Sequence, residues 1–330
     1  MNVPAAIRVS DLRHQYGDRL ALAGLSLTVD TGEIFGVLGP NGGGKTTLFR
    51  VLSTLIAPQQ GEVSLFDLSL PAETAAVRAA IGVVFQSPSL DPQLTVMENL
   101  SFQAALYGLP RSVYQPRADL LLATLGLSDR RGEFTRTLSG GLRRRVELAK
   151  GMIHQPRLLL MDEPSTGLDP GARNDLWQYL GQLRDEMGVT IFLTTHLLEE
   201  AEKADRIAII NEGVLVALDR PETLRAELGG DSITLETKNP EDLAARIHSQ
   251  FDVAPSVLDG LVRLELADGH SWVPRLMESF AADVTSIRLG RPTLEDVFIA
   301  RTGHCFWNGD GNDSDVSAGK TKSKRRGSHG

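Results

Sequence analysis

The stretch Gly39-Pro40-Asn41-Gly42-Gly43-Gly44-Lys45-Thr46 decides how most of this chain must fold. It fits the pattern G-x-x-x-x-G-K-[ST]. An apolar run, Ile34–Leu38, precedes it, and a helix is expected over Thr47–Leu55. Strand, glycine loop and helix in that order make a phosphate site. Glycines let backbone N–H groups curl around phosphate oxygens, and the helix N-terminus adds its positive end. Gly39 to Thr47 then form the cradle. Lys45 is expected to bridge the β- and γ-phosphates, and the Thr46 hydroxyl to face Mg²⁺.

Four further apolar runs follow the same logic: Ile81–Phe85, Leu158–Asp162, Thr190–Thr194 and Ile207–Asn211. Together with Glu33–Leu38 they read as strands buried on both faces of a parallel sheet, alternating with helices. A three-layer α/β core over residues 1–219 is the expectation. Leu158–Asp162 ends in two carboxylates, Asp162 and Glu163. Asp162 suits a Mg²⁺ ligand. Glu163 suits a general base that polarises an attacking water.

The remaining features set limits. At 330 residues, two domains are expected. A net charge of −8 argues against nucleic acid or anionic lipid as a non-specific partner. One cysteine, Cys305, allows no internal disulfide and fits a reducing compartment. The N-terminus lacks the apolar core of a signal peptide, and no apolar run is long enough to span a membrane.

Leu138-Ser139-Gly140-Gly141 precedes a helix expected over Leu142–Ile153. Its N–H groups and hydroxyl form a second anion site. At these residues the chain resembles the ABC ATPase family, and the resemblance covers nearly all of residues 7–219. It implies that Ser139, Gly140 and Gly141 face the γ-phosphate bound by a second ATPase subunit, clamped head to tail around two ATPs. Tyr16 resembles the aromatic that stacks on adenine. Gln86 resembles the glutamine that senses Mg²⁺ and the attacking water. His196 resembles the histidine that contacts the γ-phosphate. Ser165-Thr166-Gly167-Leu168-Asp169 resembles the loop along the dimer seam, with Asp169 near nucleotide. Residues 87–150 would hold the helical subdomain that docks on a transmembrane partner, with Thr95 an N-cap.

Two positions depart from the family's pattern. Leu142 stands where glutamine is usual, and Gly43 where a small residue with a side chain is commoner. Neither change removes a backbone donor. Arg143, Arg144 and Arg145 read as a solvated helix face.

Residues 220–303 read β-α-β-β-α-β, with a hairpin turn at Asp259-Gly260. That order suggests a small ferredoxin-like domain. Arg291-Pro292-Thr293-Leu294-Glu295-Asp296-Val297-Phe298 resembles the closing segment of ATPases in the daunorubicin-resistance branch, which pair with ABC-2-type permeases. Thr293 and Asp296 also read as a variant capping box. Residues 304–330, Cys305 and Trp307 included, read as a disordered tail. Deleting residues 221–330 is expected to leave nucleotide binding intact.

The implied protein is a cytoplasmic ATP-hydrolysing transport subunit, peripheral on the inner face of the cell membrane, working with a separate permease. ABC ATPases of DNA repair carry long coiled coils between the two glycine motifs, and no sustained heptads lie there in this chain. A small-molecule kinase would leave Leu138–Gly141 unexplained.

Overall fold

The structure is a computed structural model that describes residues 4–258, 260–303 and 306. Asp259 of the expected hairpin turn and, of the tail, every residue except Phe306, Cys305 and Trp307 included, lie outside the described residues.

The chain opens with a long hairpin, β1 (Ala5–Tyr16) and β2 (Arg19–Asp30). No simple alternation in the sequence marks it, because register shifts interrupt the pairing. Its register pairs Tyr16 with Arg19 across the Gly17-Asp18 tip. β3 (Ile34–Leu38) then leads into α1 (Lys45–Leu52). β4 (Gln60–Leu65) and β5 (Leu68–Leu70) return to the hairpin and complete an antiparallel sheet of order β2-β1-β4-β5.

Next come α2 (Thr74–Ala80), β6 (Ile81–Val84), α3 (Val96–Leu106), α4 (Arg111–Thr124), α5 (Gly140–Met152) and β7 (Leu158–Asp162). α6 (Pro170–Met187), β8 (Thr190–Thr195), α7 (Leu198–Ala201), β9 (Arg206–Asn211) and β10 (Val214–Asp219) follow. The central sheet has the order β10-β9-β3-β8-β7-β6. All its pairings are parallel except that of the edge strand β10.

Apolar runs become buried strands here because both faces of this sheet are covered. On β3, Ile34 and Leu38 enter one apolar cluster with the helices, while Phe35 and Val37 enter a second against the hairpin and α1. On β7, Leu159 and Met161 face the first cluster, and Leu158 and Leu160 the second. Each fully buried side chain contributes about 1.5–3 kcal/mol. Parallel strands place their carboxyl ends on one edge, so the residues following β3, β6, β7 and β8 meet there.

α3 begins as expected. Thr95 caps it, accepting from the Glu98 N–H, while Glu98 accepts in return from the Thr95 N–H. α5 differs from the expectation in one respect. Arg143 is exposed, but Arg145 pairs with Asp175 at 2.5 Å and stacks on Tyr179. Arg144 is only 5% exposed. The arginine run is therefore not a solvated face, because a non-local loop covers its middle member.

After α8 (Pro221–Glu227) come β11 (Asp231–Thr237), α9 (Pro240–Phe251), β12 (Ser256–Leu258), β13 (Leu261–Leu266), α10 (Gly269–Phe280) and β14 (Val284–Gly290). They form an antiparallel sheet of order β12-β13-β11-β14, backed by its own apolar cluster of Ile233, Leu243, Ile247, Leu264 and Leu276. α11 (Leu294–Thr302) then turns back. Its Leu294, Val297 and Phe298, with Leu224 of α8, join the first cluster of the main body. Phe306, expected in the tail, is buried edge-on against Phe298.

This return bears on the stability of a chain that lacks residues 221–330. Removing residues 221–330 would strip α8 and α11 from the main core. β11 and β14 lie side by side, with Ser232 paired to Gly290, so the chain leaves and re-enters at adjacent points. Replacing residues 231–290 by a short glycine-serine bridge should leave a chain that melts cooperatively and binds ATP. Truncation after Asp219 should lose several kcal/mol through the apolar side chains it uncovers, read as a lowered or absent thermal transition.

Candidate functional site

The loop 39–44 is shaped by close backbone approaches. A Cβ at Gly39 would lie 2.3 Å from the Ile210 carbonyl oxygen. Gly44 sits at φ +108°, and a Cβ there would lie 2.7 Å from the Ala21 carbonyl oxygen. Only glycine fits either place. α1 starts at Lys45, two residues earlier than expected, so Lys45 and Thr46 are in its first turn.

Lys45 is 4% exposed, and its Nζ donates to the carbonyls of Gly39 at 2.8 Å and Pro40 at 3.1 Å. Nζ also stands 3.7 Å from Glu163 Oε1. Burial pushes its pKa down, opposed by the charges of Glu163 and Asp162.

A cleft of about 300 Å³ opens over this loop. It is lined by Tyr16, Asn41, Gly42, Gly44, Lys45, Thr46, Thr47 and Glu163, and by Arg19 and Ala21. The last two were not anticipated. Arg19 arrives through the hairpin register with Tyr16 and donates from Nη2 to the Gly42 carbonyl at 3.1 Å. Its signal in the sequence was the Gly17-Asp18 turn, which places residues 16 and 19 side by side. His14 packs edge-on against Tyr16 with ring centroids 4.8 Å apart.

The carboxyl edge completes the site. Asp162, 6% exposed, accepts at Oδ1 from the Thr194 hydroxyl at 2.5 Å. Burial pushes its pKa up; the Thr194 bond lowers it, and the neighbouring Glu163 charge raises it further. Glu163 adopts φ +43°, held by its N–H donating to Thr194 Oγ1 at 3.0 Å and Thr194 O at 3.2 Å. Glu163 Oε2 accepts from Gln86 Nε2 at 3.3 Å and from the Thr166 hydroxyl at 3.3 Å, and His196 Nδ1 stands 3.1 Å away. Lys45, Gln86 and His196, far apart in sequence, thus meet at one carboxylate.

Ser139, Gly140, Gly141 and Asp169 are not at this cleft. Ser139 caps α5, its hydroxyl accepting from the Leu142 N–H at 3.3 Å. Asp169 caps α6, accepting from the Ala172 N–H at 2.9 Å. The two helix starts pack together, since a Cβ on Gly141 would lie 2.9 Å from that of Ala172. Leu142 packs on the first apolar cluster, which accounts for an apolar residue where glutamine is usual. A larger cavity of about 650 Å³ opens at the amino ends of β7 and β8, beside Arg157 and Thr190, and none of the expected site residues lines it.

The family model described as "ABC transporter" matches residues 22–166. The daunorubicin resistance ATP-binding protein DrrA3 of Streptomyces coeruleorubidus is 38% identical over 305 residues, covering 90% of this chain and 96% of the relative. The chain belongs to the ABC transporter ATP-binding family. Among solved structures, cbiO1 from Clostridium perfringens, part of the ABC transporter complex cbiONQ, superposes with a TM-score of 0.64 at 26% identity, over 76% of this chain and 96% of that one. The dimeric bacterial ABC transporter cassette MJ0796 superposes at 0.58 with 27% identity, over 65% and 98%. The chain is thus an ATP-binding subunit of an ABC transporter and an ATPase. Among the described residues, no helix is long and apolar enough to cross a membrane.

The raised pKa of Asp162 has a measurable consequence. The folded chain holds this proton more tightly than the unfolded one. The group therefore favours folding below the ordinary carboxylate range and disfavours it as pH climbs through the folded-state pKa. Without nucleotide, Asp162→Asn keeps an acceptor for Thr194 and removes the buried charge. It should melt a few degrees higher than wild type at pH 7, with the gap closing toward pH 4, while the stabilisation that Mg-ATP gives wild type shrinks.

Proposed function

We propose that this chain couples ATP-driven closure of two subunits to export of a drug, lipid or other small molecule through a separate membrane permease. The observation that carries the chemistry is the meeting of Lys45, Gln86 and His196 at the Glu163 carboxylate. Adenine stacks on Tyr16 at the hairpin tip, and the phosphates lie over Gly39–Thr47. Lys45, whose Nζ is occupied by two loop carbonyls, turns to the β- and γ-phosphates. Glu163 accepts the proton of the attacking water, with Gln86 orienting that water and His196 touching the γ-phosphate.

Mg²⁺ fits the donors present. The Thr46 hydroxyl, the Asp162 carboxylate and the Gln86 side-chain oxygen are hard ligands beside a phosphate site, the setting this ion prefers. Asp162 is a buried carboxylate whose charge burial disfavours, and a cation would relieve it. Bound there, the ion would neutralise charge on the phosphates.

Ser139, Gly140, Gly141 and Asp169 act across a dimer seam, on the nucleotide of a second ATPase subunit. Their place at two adjoining helix starts, away from the chain's own cleft, supports this. Each motif is present in one chain, so the second subunit can be another copy of this chain, giving a homodimer with two active sites, or a different ATPase subunit in a heterodimer. Residues 87–150 form the helical subdomain that meets the permease. Residues 231–290 form a ferredoxin-like accessory domain, supported by the sheet order β12-β13-β11-β14. Export and an ABC-2-type permease are supported by similarity to drug-resistance proteins along most of the chain. The protein would then sit on the inner face of the cell membrane.

Glu163→Gln should lower ATP turnover by about a hundred- to ten-thousand-fold with ATP affinity retained. Hydrolysis near the wild-type rate would remove Glu163 from the general-base role. The same variant, trapped with Mg-ATP and pulled from membranes, should carry a multi-spanning protein with it. Recovery of ribosomes or nucleic acid with no membrane protein would overturn the transport reading.

A further inference from the structure

One face of α5 is charged yet turned inward. Arg144 and Glu147 are 5% and 3% exposed and pair at 2.9 Å. Burial disfavours both charges, pushing the carboxyl up and the guanidinium down, and each is partly offset by the other. A buried ion pair of this kind rarely stabilises a fold more than apolar residues of the same size would. Its other contacts suggest what it does. Arg144 Nη1 donates to the Phe85 carbonyl at 2.8 Å, and Nη2 to the Gln86 carbonyl at 3.3 Å. Glu147 Oε1 accepts from the Ser89 N–H at 2.7 Å. Lys150 Nζ donates to the Ser89 carbonyl at 2.5 Å. Three side chains of one helix face thus hold the backbone of residues 85–89, the loop that leaves β6 and carries Gln86.

We propose that Arg144 and Glu147 are positioning residues that lock the Gln86 backbone to the helix beginning at Ser139. The reach of the Gln86 side chain to Glu163 and the aim of the Ser139–Gly141 helix start then change as one body. The guanidinium suits this because its planar fork serves Phe85 and Glu147 from Nη1 and Gln86 from Nη2 in one fixed geometry, whereas a lysine offers a single nitrogen. Displacing a reacting group by about 1 Å can cost about a hundredfold in rate, so a loosened loop lowers turnover without touching nucleotide affinity. The inference rests on the reading of Gln86 given above.

The test measures ATP hydrolysis, ATP affinity and thermal melting of the full-length chain. Its variants are Arg144→Lys, Gln86→Ala, their combination, and the charge-free pair Arg144→Met with Glu147→Leu. Arg144→Lys should melt close to wild type, keep its KM for ATP and lose about ten- to a hundredfold in kcat. The charge-free pair leaves no buried charge without a partner and should behave alike. Combined with Gln86→Ala, Arg144→Lys should cost far less than the product of the two separate losses, because the two share the Gln86 loop. Folded Arg144 variants with full kcat, losses that multiply in the combined variant, or unfolding of both Arg144 variants would overturn the proposal. Full kcat in Gln86→Ala alone would instead overturn the role of Gln86, and this inference with it.

Discussion

The Thr194 hydroxyl lies between the carboxyl ends of two parallel strands, donating to Asp162 Oδ1 and accepting from the Glu163 N–H. Much of the site depends on that one group. The pairing of Asp162 with Thr194 in the β7–β8 register sets the two carboxylates at different depths. Asp162 is held inward as the last residue of β7. Glu163 is forced into a left-handed backbone conformation that swings its side chain over Lys45. A non-glycine residue holds such a conformation only when its surroundings fix it. Two hydrogen bonds from one N–H to Thr194 do so here.

Desolvated charge gathers along this edge. Lys45, Asp162, Arg144 and Glu147 are all buried. None improves the fold by its charge, and in each case burial opposes the ionised form. The apolar clusters on the two sheet faces supply the stability that tolerates them. Charge held rigidly in a dry setting interacts more strongly with a charged ligand than the same charge in water. A site for a triphosphate benefits from that.

The phosphate loop, the buried strands and the residues at their carboxyl ends were legible because each is a local pattern. A glycine loop between strand and helix has one sensible geometry, and five apolar runs beside it must share a covered sheet. What escaped the sequence was non-local. The hairpin of β1 and β2 carries register shifts that break its alternation, so its length could not be read from periodicity. Arg144 looks solvated by composition. It is buried because the backbone of residues 85–89, from another part of the chain, lies over it. The C-terminal elements were read in the right order, but no periodicity says which apolar cluster a helix such as α11 will join.

That last helix changes how the accessory sheet relates to the rest. A domain appended to a terminus hangs by one strand of chain. Here residues 231–290 are an excursion between α8 and α11, both packed in the main body. The two ends of the excursion are neighbouring strands, and Arg263 of β13 reaches Asp296 of α11 at 3.0 Å. Asp296 also accepts from the Thr293 N–H, closing the capping box of α11. One buried carboxylate therefore starts the returning helix and ties it to the accessory sheet. The closing segment around Thr293–Phe298 is thereby a structural joint, since Asp296 ties it to the excursion and Leu294, Val297 and Phe298 enter the core of the ATPase.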